Sequence, residues 1–127
     1  MIKSFEELDS WKAARTLVKE IYVISNTGHF NMDFPLRDQI RAAAISVMAN
    51  IAEGFERNNK KEFVYFLGIS KGSCGEVRSL IYIALDQNYI GSELFEKMMD
   101  LTTKILSLIA GTINYLKKTE IQGLRYK

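Results

Sequence analysis

Residues 36–57 read LRDQIRAAAISVMANIAEGFER, and the spacing of their apolar side chains decides the fold. Ile40, Ala44, Val47 and Ile51 recur every three or four residues, the period of a helix that buries one face, and Gly54 marks the approach of its C-terminal end. Ala42, Ala43, Ala44, Ser46, Ala49 and Ala52 crowd the same stretch. Small side chains let neighbouring helices come close, so this helix, predicted over residues 37–55, takes a central and heavily packed position. Beside its apolar stripe runs a polar row, Gln39, Ser46, Asn50, Glu53 and Arg57, whose steps of 7, 4, 3 and 4 residues keep all five on one face.

The flanking segments repeat the helical period. Trp11, Ala14, Leu17, Val18, Ile21 and Tyr22 form one stripe, with Lys12, Arg15, Lys19 and Glu20 largely off it. Ser4 and Glu7 have capping-box spacing, which predicts a helix from near Phe5, with Asp9 as an alternative N-cap. Ser25-Asn26-Thr27-Gly28 closes that helix, and the turn-forming residues of 29–35 predict an irregular linker that ends at Pro35. A third helix is predicted over residues 61–86 and a fourth from the N-cap Ser92 to Lys118. Gly68, Gly72 and Gly75 each cost about 1 kcal/mol relative to Ala inside the third helix, which predicts tight packing around them. Four helices of similar length with short connections make an all-α, antiparallel up-down-up-down four-helix bundle over residues 1–118. Residues 119–127 are expected to be a mobile C-terminal tail.

Composition narrows the function classes. With 127 residues there is room for one core, and 17 Lys and Arg against 15 Asp and Glu leave a formal charge of only +2. Binding to a polyanion therefore depends on where the charges sit. A single cysteine, Cys74, excludes an intrachain disulfide, and with the single histidine, His29, it argues against a His- or Cys-rich metal site. No apolar run approaches the length of a membrane span, and the N-terminus lacks the apolar segment of a secretory signal. The expectation is a cytoplasmic protein with no cofactor, no metal and no membrane contact.

The polar row and its complement on the third helix, Ser70, Ser73 and Glu76, admit two readings. They form a ligand site, or they form a satisfied inter-helix network that sets the register of the bundle. Glu53 and Glu76 could divide acid and base roles if they converged, but no histidine, nucleophile motif or glycine-rich phosphate loop accompanies them, so no catalytic residue is assigned. The nucleic-acid candidates are Arg37, Arg41, Arg57, Lys60 and Lys61 around the second helix and its following turn, with Lys117 and Lys118 as a second basic group. A single chain offers few phosphate contacts, whereas copies in a ring repeat each patch around an axis.

The segment 36–43, continued by Ser46-Val47-Met48-Ala49-Asn50-Ile51-Ala52-Glu53-Gly54, resembles the four-helix-bundle family of 23S rRNA intervening-sequence proteins. The similarity extends from Phe5, Leu8, Trp11, Lys12 and Ala14 through Arg57, Glu62, Phe63, Phe66 and Leu67 to Gly72, Ser73 and Glu76. Three positions depart from the family pattern: Ala42 where a second Arg is common, Met48 where Pro is common, and Glu56 where Gly often precedes the Arg. The resemblance implies a homopentamer, and it selects Gln39, Arg41, Ser46, Asn50, Glu53, Gly54, Arg57, Ser73 and Glu76 as motif positions. The chain also looks like the accessory protein of diversity-generating retroelements, which implies RNA or DNA and a reverse transcriptase as partners.

Two functions follow as expectations. One is a non-catalytic homo-oligomer that binds RNA or another nucleic acid through a repeated basic surface. The other is an assembly or adaptor scaffold without a nucleic-acid ligand, anchored by Phe30, Met32, Phe34, Tyr22, Tyr65, Tyr82, Tyr89 and Tyr115.

Overall fold

The computed structural model describes residues 2–119. Apart from Thr119, the expected tail lies outside the described residues. A single 3-10 turn, Phe5–Glu7, precedes helix α1, Asp9–Ser25. A short helix α2 spans Gly28–Met32, followed by α3, Phe34–Glu56, α4, Lys60–Asp86, and α5, Ser92–Lys118. The four long helices form the expected antiparallel up-down-up-down bundle. Each packs on two neighbours in the cyclic order α1, α3, α4, α5, so the α1–α5 edge lies opposite the α3–α4 edge.

Local chemistry sets most boundaries. The Glu7 carboxylate accepts hydrogen bonds from the backbone N–H groups of Lys3 and Ser4 at 3.0 and 3.2 Å, but this closes only the 3-10 turn, and α1 starts afresh at Asp9. Asp33 caps α3 by accepting from Leu36 N at 3.2 Å, and Pro35 is tolerated because the first turn has no intrahelical acceptor for its missing N–H. Asn59 caps α4 by accepting from Glu62 N at 3.0 Å. At the far end of α4, Asn88 adopts φ +61°, Tyr89 N donates to Ala84 O at 2.9 Å and Asn88 N donates to Leu85 O at 3.0 Å. That is a Schellman motif with Asn in the left-handed position.

Several expectations are corrected. The linker contains α2, a helix too short to show a period, whose Phe30 is buried and stacks on Tyr89 at 5.3 Å. Ser92 is the first residue of α5 rather than its cap, which is Gly91. Gly54 is not a terminator: α3 continues to Glu56, and Gly54 is buried where a Cβ would stand 2.8 Å from Phe66 Cβ and 2.9 Å from Phe63 Cδ1. Gly68, Gly72 and Gly75 show the opposite, with no atom within 4 Å of where a Cβ would be. The close approach of α3 and α4 is thus made by the glycine of α3, and the three glycines of α4 line an open face.

The core is continuous. Leu17 and Ile21 of α1, Ile40, Val47, Ile51 and Phe55 of α3, Phe63, Leu67, Val77 and Ile81 of α4, and Met98, Ile105 and Ile109 of α5 are wholly enclosed. Each contributes about 1.5–3 kcal/mol of transfer free energy. Cys74 is enclosed among them, with its Sγ 3.6 Å from Thr102 O, and burial pushes its thiol pKa up to about 11. No described helix is long and apolar enough to cross a membrane.

Candidate nucleic-acid interface

The polar row of α3 faces α4 and pairs with it rung by rung. Gln39 Nε2 donates to Glu76 Oε2 at 3.1 Å, and the Ser46 and Ser73 hydroxyls meet at 2.7 Å. Asn50 Nδ2 donates back to Ser46 O at 2.9 Å and to Ser46 Oγ at 3.0 Å. One step further in, the buried Ser70 hydroxyl donates to the carbonyl of Val47. At the end of the row Arg57 Nε pairs with Glu53 Oε2 at 2.8 Å, and Arg57 Nη1 reaches Glu62 Oε1 at 3.2 Å while its guanidinium lies over the Phe66 ring at 4.9 Å. The hydrogen bond to Glu53, joined by the charges of Glu53 and Glu62, raises the Arg57 pKa above its ordinary value.

This geometry keeps Glu53 and Glu76 apart. Glu76 sits opposite Gln39, and Gln39 and Glu53 are separated along α3 by about 21 Å at the helical rise. The two carboxylates do not converge on one pocket.

The structure regroups the candidate cations. Arg37 and Arg41 lie near the start of α3, about 30 and about 24 Å of helix from Arg57. Both are engaged there. Arg37 pairs with Asp38 at 2.9 Å, donates to Asn31 O at 3.0 Å and stacks over Phe34, while Arg41 donates to the buried Ser25 hydroxyl at 2.8 Å and covers the Tyr22 ring at 4.8 Å. Their roles in this chain are to tie α2 and α1 onto α3.

Arg57, Lys60 and Lys61 sit at the opposite pole, and there the second basic group joins them. Lys60 Nζ donates to the carbonyl of Thr119, just beyond the end of α5, where the negative end of the helix dipole favours a cation. This contact brings the start of α4 beside Lys117 and Lys118. Lys61, Lys117 and Lys118 are exposed, and none has an ion-pair partner among the described residues. Two nearby acids, Glu53 and Glu62, are committed to Arg57.

A further set of cations lies on α1. Lys12, Arg15 and Lys19, read from the sequence only as the outer face of that helix, line a groove of about 500 Å³ together with Glu6, Trp11 and Thr16. A second groove of about 420 Å³, bordered by Asp9, Lys12, Thr16 and Lys104, adjoins it on the α5 side. The signal was present as basic residues at i, i+3 and i+7, but recognising a groove required the neighbouring 3-10 turn and α5.

Of the expected aromatic anchors, two are withdrawn. Phe30 is buried, and Tyr89 is stacked on it and donates to Asp33 Oδ2 at 2.9 Å, an interaction that raises the Tyr89 pKa. Tyr22, Met32, Phe34, Tyr65, Tyr82 and Tyr115 are exposed, as are Val23, Ile45 and Ile83.

No curated protein matches the chain. Among solved structures it is similar to a protein of unknown function from the S23 ribosomal protein family of Bacteroides thetaiotaomicron. That match has a TM-score of 0.76 and 20% identity, and it covers 83% of this chain and 95% of the other, a likeness of fold. The family model for 23S rRNA-intervening sequence proteins matches residues 6–111, which include the whole polar row and its partners on α4. The chain belongs to the family of 23S rRNA-intervening sequence proteins.

Proposed function

We propose that the protein is a non-catalytic, self-assembling helical bundle, a pentamer, that binds RNA through a basic pole repeated around the ring. The observation that carries the reading is the convergence at one pole of Lys61, Lys117 and Lys118, all exposed and unpaired among the described residues. One copy offers three such charges, enough only for weak binding to phosphates, and repetition around an axis makes the contact multivalent.

Support for assembly comes from the α3–α4 edge. The outer stripe of α3 carries Ala42, Ile45 and Ala49, and that of α4 carries Tyr65, Gly68, Gly72, Gly75 and Ile83, all exposed. A closed odd-numbered ring needs two different patches that fit each other. Ile45 and its alanines offer a ridge, and the glycines of α4 offer a shallow trough into which a neighbour's ridge fits. The motif residues between the helices hold these two stripes in register.

Light scattering after size exclusion, with and without a structured rRNA fragment and at low and physiological salt, tests the reading. The expected result is a pentamer that forms a defined RNA complex, loses it as salt rises, and loses it at low salt when Lys61, Lys117 and Lys118 are replaced together by Ala. A monomer, or a complex indifferent to that triple replacement, overturns it. A pentamer indifferent to RNA favours the second reading, an assembly or adaptor scaffold, which takes its support from the exposed Tyr22, Val23, Met32 and Phe34 at the opposite pole.

A further inference from the structure

The groove on α1 combines three features. First, Lys12, Arg15 and Lys19 have no carboxylate within ion-pair distance among the described residues, and neither does Lys104 in the adjoining groove. The acids that border the two grooves are Glu6 and Asp9, so cations outnumber them. Second, the groove holds a flat platform. Trp11 is half-buried, braced edge-on by Phe5 at 5.1 Å, and the Arg15 guanidinium lies over its ring at 5.9 Å. Third, Lys12 and Lys19 line the groove beside that platform, about 10 Å apart along the helix.

We propose that this groove binds single-stranded nucleic acid, one base stacking on the Trp11–Arg15 platform while Lys12 and Lys19 hold neighbouring phosphates along the groove. A planar aromatic and guanidinium pair within a basic groove suits an unstacked base, because every base presents a π-face. A duplex keeps its bases stacked and offers the platform nothing. The groove lies on the outer face of α1, away from the stripes of α3 and α4 assigned to self-assembly. The proposal rests on the nucleic-acid reading above but assigns a separate site, distinct from the lysines of the pole.

Trp11 is the chain's one tryptophan, so its fluorescence reports on this groove alone. The assembled protein is titrated with a labelled short oligouridylate, an oligothymidylate of equal length, and a duplex of that length, following label anisotropy and Trp11 emission together. Both single strands are expected to quench Trp11 and the duplex not to. The Lys12→Ala/Lys19→Ala variant keeps Arg15 on the indole, and it is expected to lower the slope of log K against log salt by about 1.4, the effect of two single-strand phosphate contacts. The Lys61→Ala/Lys117→Ala/Lys118→Ala variant is expected to keep the quench. A rise in anisotropy without quenching, an unchanged slope in the α1 variant, or an equal quench by duplex overturns this assignment and leaves the basic pole standing. Absence of binding by every probe overturns both.

Discussion

Replacing Gly54 by alanine is expected to force α3 and α4 apart at their closest approach. The new Cβ would stand 2.8 Å from Phe66 Cβ, 2.9 Å from Phe63 Cδ1 and 3.3 Å from Phe63 O. Ordinary Cβ contacts begin at 3.4 Å, so the tightest is about 0.6 Å too short. Neither Phe66 Cβ nor the Phe63 carbonyl can swing aside, because both are fixed by the α4 backbone. The connection between the two helices, Arg57 to Asn59, is too short to absorb the shift. Overpacking of this kind costs about 1–3 kcal/mol, and contact with two fixed atoms puts Gly54→Ala near the upper end. Against this stands about 1 kcal/mol that alanine gains over glycine in a helix. The net expectation is a loss of about 2 kcal/mol, or roughly 8 °C in Tm for a domain of this size. Urea denaturation followed by circular dichroism measures it, with Gly72→Ala as the control. Gly72 has no atom within 4 Å of its would-be Cβ, so its replacement stabilises the chain by about 0.5–1 kcal/mol, while any packing of a second copy on that face would weaken. A Gly54→Ala variant as stable as the parent would refute the close approach.

Three further outcomes are expected. Asp33→Ala removes both the cap of α3 and the acceptor of the Tyr89 hydroxyl, and it should cost about 1–2 kcal/mol in chemical denaturation. Asn88→Gly relieves a left-handed residue in the Schellman turn and should raise the melting temperature, whereas Asn88→Val should lower it. The third concerns Cys74, whose thiol holds its proton to about pH 11 in the fold against about 9 when exposed. The native state therefore binds more protons across that window, and stability should fall as pH rises from 9 towards 11. At neutral pH a thiol reagent should label Cys74 only after unfolding, and rapid labelling of the native protein would contradict its burial.

The long helices were legible because each carries several turns of a period that a burial stripe must repeat. Residues 28–32 were not, since five residues hold less than two turns and Phe30 is buried by parts of the chain distant in sequence, Tyr89 among them. The glycines misled for a related reason. A helical glycine signals close approach only through its partner surface, which stands against Gly54 and is absent around Gly68, Gly72 and Gly75. The polar row was visible as a face, yet its division into rungs depended on where α4 places Ser70, Ser73 and Glu76. Nearness in sequence also grouped Arg37 and Arg41 with Arg57, although a straight run of helix puts them at opposite poles. Lys60 and Lys117, far apart in the chain, become neighbours through the antiparallel return of α5.

The antiparallel pairing of α3 and α4 also bears on how the chain folds. Its most extensive contacts join consecutive helices across a three-residue turn, and the Ser46–Ser73 rung closes a loop of only 27 residues. The α1–α5 edge instead requires the two ends of the bundle to meet, as in the Glu20–Lys97 pair 77 residues apart, and its loop-closure entropy is larger. The hairpin is therefore expected to nucleate the bundle, so that mutations along its seam slow folding and those on the opposite edge chiefly hasten unfolding, as folding and unfolding rates of the variants would report. In the native state the same asymmetry makes the α1–α5 edge, the less extensive of the two opposed edges, the place where amide exchange is expected first.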